Sequence, residues 1–398
     1  MRPAQRRLAF AAAGTAAILA LVDIPASAVP NDAPSSSDAT ASSLSQLAEG
    51  YLQQRADMLT TSPPTLRGVA ARIKATPAMS AQTQDDLSAL AAKRERYEKI
   101  GTTYTKAQVD VSVDDSTVDG QQATLRLTED TRLYFPFTQK EIEDGAPEYE
   151  ESSLPHTVKF TKADDGTWLL ASDQADAGSG PTPTTQVSDV DVEPETTDEG
   201  GTADEDEGTK GEGSSTTPPA ETDTDTDTGP GAVKPAATAA YSYNKMIAYA
   251  DKYWKHHNSA FRTYGGNDCT NFLSQITLAG GWKPAGGSII QRTSNKYWFY
   301  GPTSLWTSYT WGGAENWYWF AIKHSKRTKA LRNVYDLLAS DVLQADWNRN
   351  NVIDHSMFVT KKYRGIPYLT YHTHDTHNKP VNTLVSDHPN TWWYAHRT

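Results

Sequence analysis

The chain contains a single cysteine, Cys269, whose setting suits nucleophilic chemistry. It follows Gly265-Gly266-Asn267-Asp268 and opens a run in which Phe272, Leu273, Ile276 and Ala279 recur at helical spacing, until Gly280-Gly281 stops the pattern. Asp268 is a good N-cap residue, so the spacing predicts Cys269 in the first turn of a helix. The positive end of the helix dipole favours thiolate there, and thiolate is the form that attacks carbonyl carbon. The Asp268 carboxylate beside it works in the opposite sense. The competing reading is a buried structural cysteine.

A cysteine nucleophile needs a base. Asp354-His355-Ser-Met-Phe-Val-Thr predicts a strand that opens at His355, and Pro367 to His372 predicts a second strand beyond the Arg364-Gly365 turn. A hairpin of the two would set His355 beside His372. A ring nitrogen of His355 is then expected ~3–4 Å from the sulfur, with His372, or else Asp375 or His374, at the other nitrogen. The Cys269 N–H would donate to the oxyanion, helped by Asn267 or Asp268. His374 is expected to be dispensable, and His256, His257, His388 and His396 read as surface or core residues.

Two metal readings compete for parts of this region. His372-Thr-His374-Asp375-Thr-His377 would place two imidazoles on one strand face, but no cysteine is spare to complete a zinc set. Asp346, Asn348, Asn350 and Asp354 stand at positions 1, 3, 5 and 9 of an EF-hand-like calcium loop. That pattern breaks at position 6, where Asn351 replaces glycine, and at position 12, where Met357 replaces glutamate. A polar turn is the plainer reading, and no organic cofactor is implied.

Asn267-Asp-Cys-Thr-Asn-Phe272 with Ser274-Gln275 and Gly280-Gly281-Trp282 resembles the signature of the bacterial secreted "putative amidase domain" family. The Tyr243-Asn244…Tyr249-Ala250 helix, Ser340-Asp-Val-Leu343, Ile353-Asp-His355 and Tyr368-Leu369…His372-Thr373…Asp375 resemble its other blocks. The resemblance spans residues 241–398. It implies a papain-like cysteine hydrolase related to the NlpC and CHAP cell-wall enzymes, with Cys269 as nucleophile, His355 as base and His372 as the third, orienting residue. The function it implies is cleavage of an amide bond in peptidoglycan peptides. A catalytically silent module that binds the cell wall or another surface is the alternative.

The elements that must position these residues follow from periodicity. Asn244 to His257 reads as an amphipathic helix. Earlier, Ser42–Met58 and Gln82–Arg94 carry helical spacing. Tyr104–Val113, Ala123–Thr128, His156–Phe160 and Thr167–Leu170 alternate, the last two around an Asp164-Asp165-Gly166 turn. The expected fold class is therefore α+β. A papain-like domain over 241–398, with helices packed on an antiparallel sheet, follows a small α+β accessory domain over 40–173.

Charge separates the parts. Formal net charge is −12, yet residues 241–398 carry 18 basic against 9 acidic residues, and 174–240 carry 16 acidic against 2 basic. That acidic tract has almost nothing apolar, so a disordered, extended linker is expected. The basic carboxy-terminal part suits peptidoglycan or an anionic wall polymer; no nucleic-acid motif is present. Residues 1–28 read as a signal peptide, with Arg2, Arg6 and Arg7 before an apolar run and Ala26-Ser27-Ala28 as the cleavage site. A secreted or wall-associated chain with no transmembrane segment after processing is the expectation.

Overall fold

The computed structural model describes residues 36–70, 72–176, 178, 180–187, 210–219 and 241–398. The signal-peptide reading and most of the linker reading lie outside these residues. The first half contains α1 (Ser36–Asp57), α2 (Leu66–Ala70), α3 (Pro77–Lys99), β1 (Lys106–Asp119), β2 (Gln122–Tyr134), α4 (Gln139–Glu143), β3 (Tyr149–Lys162) and β4 (Trp168–Ala175). The second contains α5 (Tyr243–Tyr253), α6 (Cys269–Ala279), α7 (Tyr309–Gly312), α8 (Ala314–Trp319), β5 (Lys329–Leu331), β6 (Val342–Asp346), β7 (His355–Tyr363), β8 (Ile366–Tyr371), β9 (Asp375–Pro380), α9 (Val381–Asp387) and β10 (Trp392–Arg397).

The architecture is α+β, built on a large antiparallel sheet. Its order is β1-β2-β3-β9-β8-β7-β6-β10-β5, with β4 also paired to β3. The two halves are therefore joined, because Glu151, Ser152 and Ser153 of β3 pair with His377, Thr376 and Asp375 of β9. Alternation makes one face of β1–β4 apolar, and Leu44, Leu52, Leu87 and Leu90 of α1 and α3 pack on Val109, Leu125, Leu127 and Val158. In the second half both sheet faces are covered. On one, α5 and α6 bury Met246, Phe272 and Ile276 with Trp282, Trp298, Trp311 and Phe358. On the other, Met357, Val359, Leu369, Tyr371 and Trp393 form a separate core.

Two parts of the acidic tract differ from the solvated spacer expected of it. Thr184, Thr185 and Gln186 are buried. The Thr184 hydroxyl donates to Glu150 at 2.5 Å, and the Lys93 ammonium donates to the carbonyls of Thr184 and Gln186 at 3.3 and 2.8 Å. Further on, Ser215 forms a bridge with Asn333, and the Ser214 N–H donates to the Trp393 carbonyl at 2.6 Å. The physical reason is backbone pairing: a polar segment with few apolar side chains still offers N–H and C=O groups to a sheet edge or an interdomain seam.

Candidate active site around Cys269

Helix α6 starts at Cys269 and ends at Gly280-Gly281, where Gly281 takes a positive φ of 102°. Gly280 is required for a second reason, since a Cβ there would lie 2.3 Å from Met246 Cγ of α5. The helix is buried along almost its whole length, which holds the cysteine at a fixed point against the sheet.

Asp268 does not cap the helix through its side chain, contrary to expectation. Its carboxylate turns inward and is 1% exposed. Oδ1 accepts from the Tyr264 N–H at 2.8 Å and from Asn271 Nδ2 at 2.9 Å, while Oδ2 accepts from His372 Nδ1 at 2.7 Å. These bonds tie the turn before Cys269 to itself, to α6 and to the end of β8. With both oxygens accepting hydrogen bonds, the Asp268 side chain directs no donor toward an oxyanion.

Cys269 is 6% exposed. Its sulfur lies 3.6 Å from the Thr270 hydroxyl and accepts from the Ser356 backbone N–H. Thr270 Oγ1 in turn meets Ser356 Oγ at 2.9 Å, and Gln344 Nε2 donates to that Ser356 oxygen at 2.9 Å. Burial pushes the thiol above its ordinary range, with the Thr270 and Ser356 bonds opposing and Asp268 adding to the rise.

Ser356, the second residue of β7, thus lies against Cys269 and Thr270. Strand alternation then separates the neighbours. Ser356 and Phe358 face α6, whereas His355 turns toward the other core, with ring centroids 5.8 Å from Trp347 and 5.3 Å from Tyr371. His355 Nε2 has no hydrogen-bond partner among the described residues. Burial, reinforced by His374 and His388 nearby, lowers its pKa to about 3, so the ring is neutral.

The expected side-by-side pairing of His355 and His372 does not form. His372 Nδ1 is bonded to Asp268 and Nε2 to the Tyr253 carbonyl at 2.9 Å, leaving neither nitrogen for His355. The cause is the period of two: Tyr371 faces His355, so the next residue, His372, faces α6 and stacks on Phe272 with centroids 3.7 Å apart. His374 is not idle either. The chain turns at Thr373, with a φ of 99°, and buries His374, whose Nδ1 donates to the Pro181 carbonyl at 2.7 Å. His377 bonds Asp251 instead, at 2.9 Å.

The calcium-loop residues come together, but as a turn. Asp346 accepts from the N–H groups of Asn350 and Asn351 at 3.1 and 2.9 Å, and Asn348 and Asn350 accept from backbone N–H groups two residues on. Asp354 accepts from the Trp347 N–H at 2.9 Å, and burial pushes its carboxyl up to about 6. The Lys210 ammonium reaches this loop, bonding Glu315 at 2.7 Å and the Asn351 carbonyl. The loop's oxygens are thus engaged by backbone donors, and its nearby cation is a lysine.

Sequence reasoning missed Asp268 as a hub and His257 as a member of the site. His257 stacks on His372 with centroids 4.1 Å apart and approaches Asp268 and Asp375 at 3.6 and 3.4 Å. Hydrogen bonding to Asp375 raises its pKa. The available signal was the pair of histidines closing the α5 pattern, at the end facing the cysteine loop.

Residues 240–395 match the family model of the "putative amidase domain". The match covers under half of the chain and contains His257, Asp268, Cys269, His355, His372 and Asp375. It points to amide hydrolysis. The chain is also similar to the uncharacterized protein YhbB of Bacillus subtilis (strain 168), with 28% identity over 142 residues, 34% of this chain and 43% of that protein. The chain thus spans less than half of that relative's length. Among solved structures it is similar to the intermembrane space region of the chloroplast protein ARC6. That likeness has a TM-score of 0.24 and 12% identity, and it covers 34% of this chain and 95% of the other. It is too slight to speak to activity.

Proposed function

We propose that the protein is an exported cysteine hydrolase that cleaves an amide bond in peptidoglycan peptides. The observation that carries the reading is the anchored turn Tyr264–Asp268, which presents Cys269 as the first residue of a buried helix beside the His355–Ser356 strand opening. The thiol is raised and the imidazole lowered, so the resting pair is neutral. The sulfur attacks the substrate carbonyl and gives up its proton, which His355 delivers to the departing amine once its ring has turned from Trp347 and Tyr371 toward Cys269. Water hydrolyses the remaining thioester and regenerates the thiol. The Cys269 N–H stabilises the oxyanion. His372 does not hold the base; it acts through Asp268 as a positioning residue for the nucleophile.

The wall substrate is supported by the basic surplus of residues 241–398 and by the exposed Ile290, Leu305 and Trp306, which offer apolar contact. Among the described residues no helix is long and apolar enough to cross a membrane. A silent wall-binding module is the second reading, favoured by the low exposure of Cys269 and by the orientation of His355 away from α6. Digesting purified wall with the protein and with Cys269→Ala decides between them. New amino and carboxyl ends produced only by the cysteine-containing protein support the hydrolase. Tight wall binding without new ends supports the module.

A further inference from the structure

We infer that His257, His372 and Asp375 form a divalent transition-metal site of the zinc class, with Asp268 as its outer carboxylate. One ligand atom from each of the three lies within 4.8 Å of the other two. The two imidazoles are stacked at a 24° angle, and both turn Nδ1 toward Asp268 Oδ2, at 3.6 Å from His257 and 2.7 Å from His372. Their Nε2 atoms therefore lie at the far edge of the stack. There His257 Nε2 is 3.4 Å from Asp375 Oδ2, and His372 Nε2 is 2.9 Å from the Tyr253 carbonyl.

These partners are all acceptors. A divalent ion bound at the Nε2 edge takes the place of the His372–Tyr253 contact and of the His257–Asp375 contact there. Two imidazoles, one carboxylate and an open fourth position match the donor set of zinc sites that retain a water. Asp268 on His372 Nδ1 supplies the carboxylate–histidine–metal arrangement that fixes the ring and raises the basicity of Nε2. His257 and Asp375 are partly exposed, which gives an ion a way in. The site differs from the sequence-level zinc reading, because the turn at Thr373 sends His374 to Pro181 and α5 brings His257 in its place.

The test uses the full chain in a Cys269→Ser background, so that no thiolate competes for metal. Zn2+ is titrated calorimetrically and Co2+ by visible absorption. One ion per chain and Co2+ bands of low coordination number are expected. His257→Ala and Asp375→Asn should each weaken binding by at least about tenfold while the melting temperature without metal stays close to that of the background. His324→Ala, outside the site, should bind as the background does. Failure to bind at ~1 mM metal, or binding that neither His257→Ala nor Asp375→Asn weakens, would overturn the inference. Neither outcome depends on amidase activity.

Discussion

Replacing Asp268 with alanine tests the claim that this carboxylate holds the nucleophile turn together. The change strands three donors: the Tyr264 N–H, Asn271 Nδ2 and His372 Nδ1. Both members of the Asp268–His372 pair are almost fully buried. Removing one partner of a buried, hydrogen-bonded pair costs about 3–5 kcal/mol, mostly because the other is left without compensation. At ~2–4 °C per kcal/mol for a domain of this size, the melting temperature should fall by roughly 6–20 °C. Asp268→Asn keeps an oxygen for Tyr264 and Asn271 but turns an amide toward His372, so an intermediate loss is expected. Thermal unfolding followed by circular dichroism at one pH measures both. A fall of less than about 2 °C for Asp268→Ala would refute the hub assignment, since a solvated surface carboxylate loses no more than that.

Cys269→Ala and Cys269→Ser should abolish wall cleavage with little change in melting temperature, measured side by side; residual cleavage in either would make the cysteine structural. His355→Ala should lower the rate by ~10²-fold or more, whereas His372→Asn should keep measurable turnover at reduced stability, both read by steady-state kinetics. In the accessory half, burial would lower the pKa of His156, but its bonds to Asp173 and Glu129 raise it to about 9. Its folded pKa lies above the unfolded value near 6.5, so its stabilisation is complete below pH 6.5 and is lost as pH rises to 9. Wild-type melting temperature should therefore fall more steeply over that window than that of His156→Gln. An isolated 241–398 fragment should be less stable than the whole chain or insoluble, because it uncovers the β9 edge and strips Lys379 of Glu150 and Thr184. Gel filtration and circular dichroism of the fragment check this.

Much of the fold was legible in local pattern. Helix α6 announced itself through Phe272, Leu273 and Ile276, and the β3–β4 hairpin through Gly166, which takes a φ of 85°. The joining of β3 to β9 was not legible, because Glu151–Ser153 and Asp375–His377 carry no apolar alternation that marks them as partners. Backbone hydrogen bonds between polar segments leave little trace in composition, and the same holds for Thr184–Gln186 and Ser214–Ser215. In the site, the residue types were readable but the facing was not. A period of two sends Tyr371 and His372 to opposite sides of the sheet, and only the register of β7 against β8 decides which one meets His355. From sequence Asp268 reads as a cap, because aspartate favours a helix start; the buried His372 opposite it, 104 residues away, changes the outcome.

Direct observation of the acyl-enzyme tests the central claim. The protein is mixed with purified peptidoglycan, quenched in acid during turnover, digested, and examined by mass spectrometry. The account predicts that the peptide containing Cys269 carries a thioester-linked muropeptide fragment, that hydroxylamine removes it, and that it accumulates when a slow-deacylating substrate is used. Cleavage of the wall with Cys269 unmodified at every quench time, or cleavage that survives Cys269→Ala, would contradict it.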